Sequence, residues 1–250
     1  MTPRPALAFV SLVLIAGAVL LIFLTLLGGA IDKNPTNQFY FLEADTNGLG
    51  SAAPLTRWTF WSSCSAMDGR NTCPGVKAAY PFDPRRNFGT DDIFGGTKYY
   101  LESRFMFAFV LIGLFFAVCA LFLGIIALVS RIGSFLGSAT CSVALFFQTL
   151  TAALMTAAYV QGRNAFRADG RTATLGRYNF GFMWAAVACL FLATLMLCVG
   201  GVTGKKDKGY SSRTGGRKFF GRKKSTKSNR DRGSFIDPER QRRMEKEDDD

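Results

Sequence analysis

The chain has 250 residues, 49% of them hydrophobic, with 24 phenylalanines, a formal net charge of +12 and no histidine. Its apolar residues are gathered into long blocks, which marks a membrane protein rather than a soluble domain. The missing imidazole removes the commonest general base, catalytic-metal ligand and neutral-pH switch, so neither an enzyme nor a metal or cofactor site is expected.

Residues 1–5 form a short N-terminus, expected in the cytoplasm. The first apolar block, 6–27, offers only Ser11 and Thr25 as hydrogen-bonding side chains. At about 1.5 Å per residue it is long enough to cross roughly 30 Å of hydrocarbon. The small residues Gly28, Gly29 and Ala30 make a cleaved signal peptide the competing reading. A signal core of about 7 to 15 residues is shorter than this block, so the span is read as retained. Either form leaves the following loop on the far side of the membrane.

That loop, 28–104, changes to Asn, Asp, Pro, Gly and aromatic residues, with alternating pieces at 39–42 and 55–61 that predict strands of a small sheet resting on the helix ends. Its centre is the run from Arg57 through Trp58, Trp61 and Cys64 to Cys73, with Asp68, Gly69, Arg70 and Asn71 in the expected turn of a stapled hairpin. A disulfide between Cys64 and Cys73 persists only in an oxidising compartment, so the loop must face the exterior or the secretory lumen. Closing a ring of about ten residues adds roughly 2.5 kcal/mol in the loop-entropy account, enough to matter for a sheet too small to bury its own core. The tryptophans are expected to form its apolar floor. No Asn-X-Ser/Thr acceptor occurs in this loop, since Pro35 follows Asn34 and Cys73 stands two after Asn71.

Three further blocks, 105–129, 139–160 and 180–202, are each long enough to span, with Tyr99, Tyr100, Tyr159 and Tyr178 read as an interfacial belt. Residues 130–138, with Arg131, read as a tight cytoplasmic turn, and 161–179 as a second outer loop carrying Arg163, Arg167, Arg171 and Arg177. Those arginines oppose this orientation. The tail beyond the last span, however, holds more than half of the 30 Lys and Arg, which favours cytoplasmic termini, and the cysteine pair decides the same way.

Small residues at four-residue spacing, Gly181, Ala185, Cys189 and Ala193 in the last span and Gly113 and Ala117 in the second, suggest helix-packing faces of a compact bundle. The competing reading is scatter by composition. Gln148, the one strongly polar side chain within the spans, is read as an interhelical hydrogen-bonding group, because a translocation route normally carries several ionisable groups at depth. Cys119, Cys141, Cys189 and Cys198 read as small apolar residues, with Cys198 near enough to the inner face for palmitoylation.

The tail, 203–250, is basic from Lys205 to Arg232 and acidic from Met244 onward; neither half can bury a core, so disorder is expected. Lys205, Lys206 and Lys208, then Arg217 and Lys218 before Phe219 and Phe220, and Arg222, Lys223 and Lys224 after them, present cations and phenyl rings to an anionic leaflet. Anionic lipid is therefore the expected partner of the tail, and nucleic acid is not. A plain topological stop signal is the competing reading. Ser225, Thr226 and Ser228 beside the basic run are candidate phosphorylation sites that would loosen membrane contact.

Four spans, a long first outer loop with Arg57, Trp58, Trp61, Cys64 and Cys73, a short inner turn and a basic tail resemble the claudin-type tetraspan superfamily. The stretches YFLEADTNGLG from Tyr40, YPFDPRRNFGT from Tyr80, SRFMFAFVLIGLFFAVCALF from Ser103 and SRIGSFLGS from Ser130, with the last two spans, are similar to its fungal SUR/PalI branch over residues 6–202. Where claudins have Gly-Leu-Trp before the first cysteine, this chain has Thr59, Phe60 and Trp61, so junction-type pairing between cells is not implied. The resemblance implies an all-α membrane protein: a left-handed four-helix bundle capped by a small disulfide-stapled extracellular β-sheet and followed by a disordered basic tail. It also implies residence in furrow-like plasma-membrane patches organised by eisosomes, with no catalysis. Lateral assembly with itself or with other eisosome-associated proteins, contact with the cell wall, and effects on wall deposition, endocytosis and sphingolipid balance follow from the same likeness. Two other classes stand beside it: a sensor or trafficking partner in ambient-pH or stress signalling, and a pore or transporter, for which Gln148 alone is a poor route.

Overall fold

Helices α1 (Pro3–Leu27), α3 (Thr97–Ala127), α4 (Arg131–Ala168) and α5 (Arg177–Val202) carry the architecture, in a computed structural model that describes residues 3–31, 33–67, 69–90 and 94–202. The candidate lipid-binding and phosphorylation residues between Lys205 and Ser228 lie outside the described residues. All four helices are long and apolar enough to cross a membrane. Such runs fold as helices because hydrocarbon offers no other partner for the backbone N–H and C=O groups. The helices form a closed ring of neighbours in which α1 packs on α3 and α5, and α4 on α3 and α5.

The bundle is built with small side chains inside and large ones outside. Ala18, Ala117, Ala120, Ala144, Ala152 and Ala193 are fully buried, whereas Phe9, Phe115, Phe122 and Phe146 point outward. Close approach of backbones supplies the van der Waals contact that drives association where lipid tails are as apolar as leucine.

Two readings of the spans are corrected. The stretch 130–138 is no turn: only 128–130 connect the helices, and α4 begins at Arg131. Its glycines and serines serve packing, since a Cβ on Gly133 would fall within 3 Å of the Ile126 and Ala127 backbone, and Ser134 Oγ donates to the Leu197 carbonyl at 2.8 Å. The second correction concerns α5. Ala193 is buried and Cys189 half-buried, but Gly181 and Ala185 face outward, and the buried seam runs Met183, Ala186, Leu190, Ala193, Leu197. Four-residue steps drift around a helix by about 40° each, while alternating steps of three and four hold one face. Gly113 and Ala117 are buried, and a Cβ on Gly113 would stand 3.2 Å from Gln148 Oε1 on α4.

Above the helix ends lies a five-stranded antiparallel sheet in the order β4-β3-β2-β1-β5, formed by β1 (Leu42–Asp45), β2 (Leu55–Trp58), β3 (Ser63–Met67), β4 (Arg70–Thr72) and β5 (Ala173–Leu175). The first strand falls at 42–45 rather than 39–42. Arg70 and Asn71 belong to β4 and not to the turn. β5, from the second outer connection, pairs with β1 through Leu42↔Leu175 and Ala44↔Ala173, so both outer connections share one sheet. The chain then enters α5 at Gly176, where any Cβ would strike the Tyr40 carbonyl. A short helix α2 (Pro84–Phe88) completes the outer layer.

Between sheet and bundle sits an aromatic core. Phe41 stacks on Tyr159 at 5.0 Å and meets Phe60 edge-on at 4.7 Å, and Phe82 lies 4.9 Å from Tyr159. Tyr159, at 1% exposure, is therefore a core residue and not part of an interfacial belt.

Gly113→Leu should force α3 away from α4 and destabilise the solubilised protein by about 1–3 kcal/mol. Gly181→Ala, whose added methyl meets open space, should be neutral or stabilising by up to about 1 kcal/mol. Thermal unfolding of the two variants in detergent checks the assignment of faces.

Candidate functional site

The outer sheet is organised by Arg57. Cross-strand register places Glu43, Arg57 and Cys64 in one row over β1, β2 and β3. The Arg57 side chain is only 9% exposed, and its Nε donates to Glu43 Oε2 at 2.6 Å. Nη1 donates to the Gly69 carbonyl at 2.9 Å and to Asn71 Oδ1 at 3.1 Å, and the guanidinium lies over the Tyr40 ring at 4.3 Å. Asn71 continues the network, donating from Nδ2 to the Phe39 carbonyl at 3.0 Å. A planar donor fork suits this role because it serves several acceptors at once from a fixed position. The Cys64–Cys73 disulfide closes the hairpin beside it.

The two tryptophans have different tasks. Trp58, 1% exposed, forms the apolar floor against Phe82 at 5.4 Å, Phe166 at 5.6 Å and Phe88 at 5.9 Å. Trp61 ties the sheet to the bundle: its indole N–H donates to the Leu26 carbonyl at the end of α1, and its ring meets Phe107 of α3 at 5.4 Å. That bond satisfies a helix-end carbonyl that has no partner within the helix.

Sequence reasoning missed Glu43, Tyr40 and the side-chain role of Asn71, whose partners come from distant segments. It also passed over Asp83, which is fully buried, accepts from Gly96 N at 3.2 Å and faces Arg86 Nε at 3.2 Å. The signal was there: Asp83 before Pro84 is the usual start of a helix, with proline at the first helical position. Ser103 Oγ accepts from Phe82 N at 2.9 Å and so joins this segment to α3.

Within the bundle, Gln148 is fully buried and its Nε2 donates to Met183 Sδ at 3.2 Å, linking α4 to α5. Among the described residues, the buried charged ones, Arg57 and Asp83, both belong to the outer layer. Cys198 is exposed, with its Sγ 2.8 Å from Ser138 Oγ, whereas Cys141 is buried.

Arg57→Ala strips the partner from the Glu43 carboxylate and leaves Asn71 Oδ1 and the Gly69 carbonyl short of a donor. The expected loss is about 3 kcal/mol, read as lost hydrogen-exchange protection in β1 to β4, and Arg57→Lys should recover only a minor part because an ammonium lacks the planar fork. Removing both Cys64 and Cys73 should cost about 2.5 kcal/mol in the same assay. The Tyr40 phenol is pushed above its usual value by burial first and by Glu43 second, with Arg57 and Arg177 opposing. A raised value in the fold means the neutral phenol contributes stability that is complete below about pH 10 and is lost as pH rises through the folded value. Alkaline ultraviolet titration of wild type and Tyr40→Phe checks this.

The sequence pattern of the SUR7/PalI family matches residues 7–196. Among individual relatives, Protein SUR7 of Candida albicans is 39% identical over 207 residues, which cover 80% of this chain and 76% of that protein. The SUR7 family protein FMP45 of Saccharomyces cerevisiae is 37% identical over 204 residues, covering 78% and 66%. A protein of the same yeast named only as an uncharacterized plasma membrane protein is 34% identical over 211 residues, covering 80% and 70%. The matched region takes in the outer sheet, the disulfide and nearly all of the four-helix bundle, and the chain belongs to the SUR7/PalI family.

Proposed function

We propose that this chain is a non-enzymatic organiser of stable plasma-membrane domains of the eisosome-associated kind. The observation that carries the reading is the fixed outer layer: five strands drawn from both outer connections, closed by the Cys64–Cys73 disulfide and the Arg57 network. That layer is fastened to α1 and α3 through Trp61. Such a body presents one constant surface and suits lateral assembly better than gating. An interior lined mainly by alanine and other apolar side chains, with no buried charge between the helices among the described residues, supports the same reading over a pore. The name of the related yeast protein supports a plasma-membrane site.

In this reading the basic tail, with Arg217, Lys218, Phe219, Phe220, Arg222, Lys223 and Lys224 at its centre, holds anionic lipid of the inner leaflet. Outward-facing residues of the bundle meet further copies or other proteins of the same patch, and the outer sheet meets the wall. Effects on wall deposition, endocytosis and sphingolipid balance then follow from where the patches form.

Live imaging of a tail-tagged copy at native expression, beside an eisosome marker and a version ending at Val202, tests the proposal. Immobile surface patches coincident with the marker are expected, with dispersal on truncation. A diffuse surface signal, or residence in internal membranes, overturns it.

A further inference from the structure

The face of the sheet that carries Trp58 also carries a row of hydroxyls. Thr56 on β2, Ser65 on β3 and Thr72 on β4 stand directly opposite one another in the antiparallel register. Neighbouring strands are about 4.8 Å apart, so the row steps outward in increments comparable to one sugar ring. It opens into a cleft of about 480 Å³ between the hairpin, the β1–β2 connection and α2, into which Ser51, Tyr80 and Asn87 also face. The cleft continues past Ser63, Pro74 and Tyr80 into a second hollow of about 340 Å³ bordered by Ser62 and Lys77. Volumes of this size are those of small-molecule sites.

Buried hydroxyls among the described residues are spent internally: Thr46, Thr59, Ser103 and Ser134 all bond to main-chain carbonyls, and Thr56 bonds to Thr46. The half-buried Ser65 and the exposed Ser51 and Thr72 make no such bond among the described residues, so all three present open hydroxyls to the cleft they line. Its described lining holds neither carboxylate nor guanidinium, so it offers no counter-charge to an ammonium, phosphate or carboxylate ligand; Lys77 borders only the second hollow. The half-buried Tyr80, whose hydroxyl lies 3.0 Å from Ser63 Oγ, supplies an aromatic surface at the junction of the two hollows. Each hydroxyl both donates and accepts, which matches a ligand that does the same at every carbon. The disulfide and the Arg57 network hold the row in place before any ligand arrives, so little ordering entropy is left to oppose binding.

We propose that this cleft binds a neutral hexose oligosaccharide, with Ser65 and Thr72 as its principal hydrogen-bonding groups and Tyr80 as its stacking surface. The proposal rests on the reading that the sheet lies outside the cell, but not on residence in patches. Absence of sugar binding would leave the imaging result intact, and a diffuse distribution would leave sugar binding intact.

The test uses the full chain in nanodiscs, titrated by saturation-transfer NMR with neutral hexasaccharides of glucose, mannose and N-acetylglucosamine and with an anionic hexasaccharide of galacturonic acid. A second arm uses nanodiscs containing a hexosylceramide. Saturable binding of at least one neutral hexasaccharide is expected, weakened about tenfold by Ser65→Ala combined with Thr72→Val, since two modest hydrogen bonds are lost. Ser65→Trp, which fills the cleft, should abolish it. Hydrogen-exchange protection of β1 to β4 confirms that both variants remain folded. Binding in the soluble arm identifies free polysaccharide as the source of the sugar, and binding confined to the hexosylceramide arm identifies a lipid headgroup. No binding in either arm, equal or tighter binding of the galacturonic acid oligomer, or wild-type affinity in folded variants would overturn the assignment.

Discussion

A guanidinium nearly sealed from water must be neutralised and have its donors met, and in this protein that requirement falls on Arg57. Its partners come from β1, from the hairpin turn, from β4 and from the segment before β1. No one of these segments is long enough to be stable alone; the strands have three to five residues each, and a sheet of this size buries little of its own. Because a buried charge without its partner is costly, the alternatives in which any of these segments pairs elsewhere are raised in energy. The disulfide acts on the other side of the balance by limiting the unfolded chain. The ion pair selects the arrangement, and the cross-link narrows what competes with it.

The bundle meets a different constraint. With lipid outside, burying phenylalanine gains little, so the chain places alanine and glycine between the helices and leaves phenylalanine to the hydrocarbon. Gly113 against Gln148 shows the consequence: the glycine creates the space, and the amide fills it while reaching Met183 across the interface. Polar and small residues at such positions are packing devices before they are anything else. Where the helices reach the outer layer the logic reverts to that of a soluble core, and Phe41, Phe60, Phe82, Trp58 and Tyr159 gather in the interior.

This change of rules explains what was legible in the sequence. The four apolar blocks, the cysteine hairpin and the floor under Trp58 follow from local composition and spacing, and each is present. The stretch 130–138 reads as a turn because Gly133, Ser134 and Gly137 break soluble helices, yet between spans the same residues mark close contact. β5 has no pattern of its own; Ala173, Thr174 and Leu175 become a strand because β1 offers a free edge. Arg57 stood out beside the tryptophans, but its partners Glu43, Asn71 and Tyr40 are scattered, and no spacing joins them. The hydroxyl row of Thr56, Ser65 and Thr72 exists only through register, which a shift of one residue would abolish.

Whether the outer layer moves independently of the bundle bears on organiser against sensor. A sensing loop needs a segment of low local stability that a ligand can reorder. Here Trp61 bonds to the end of α1, Phe82 N to Ser103 of α3, and the Arg171 Nη1 of the second connection to the Asn47 carbonyl of the first. Gly176 N, at the mouth of α5, bonds to the Phe41 carbonyl. Each attachment is modest alone. Together they fasten strands from both connections to helix ends, so displacing the sheet requires several of them to break at once, along with the aromatic core beneath. A body joined this way responds to force by moving as a whole. That property fits a component that keeps its shape under load rather than a loop that a ligand reorders.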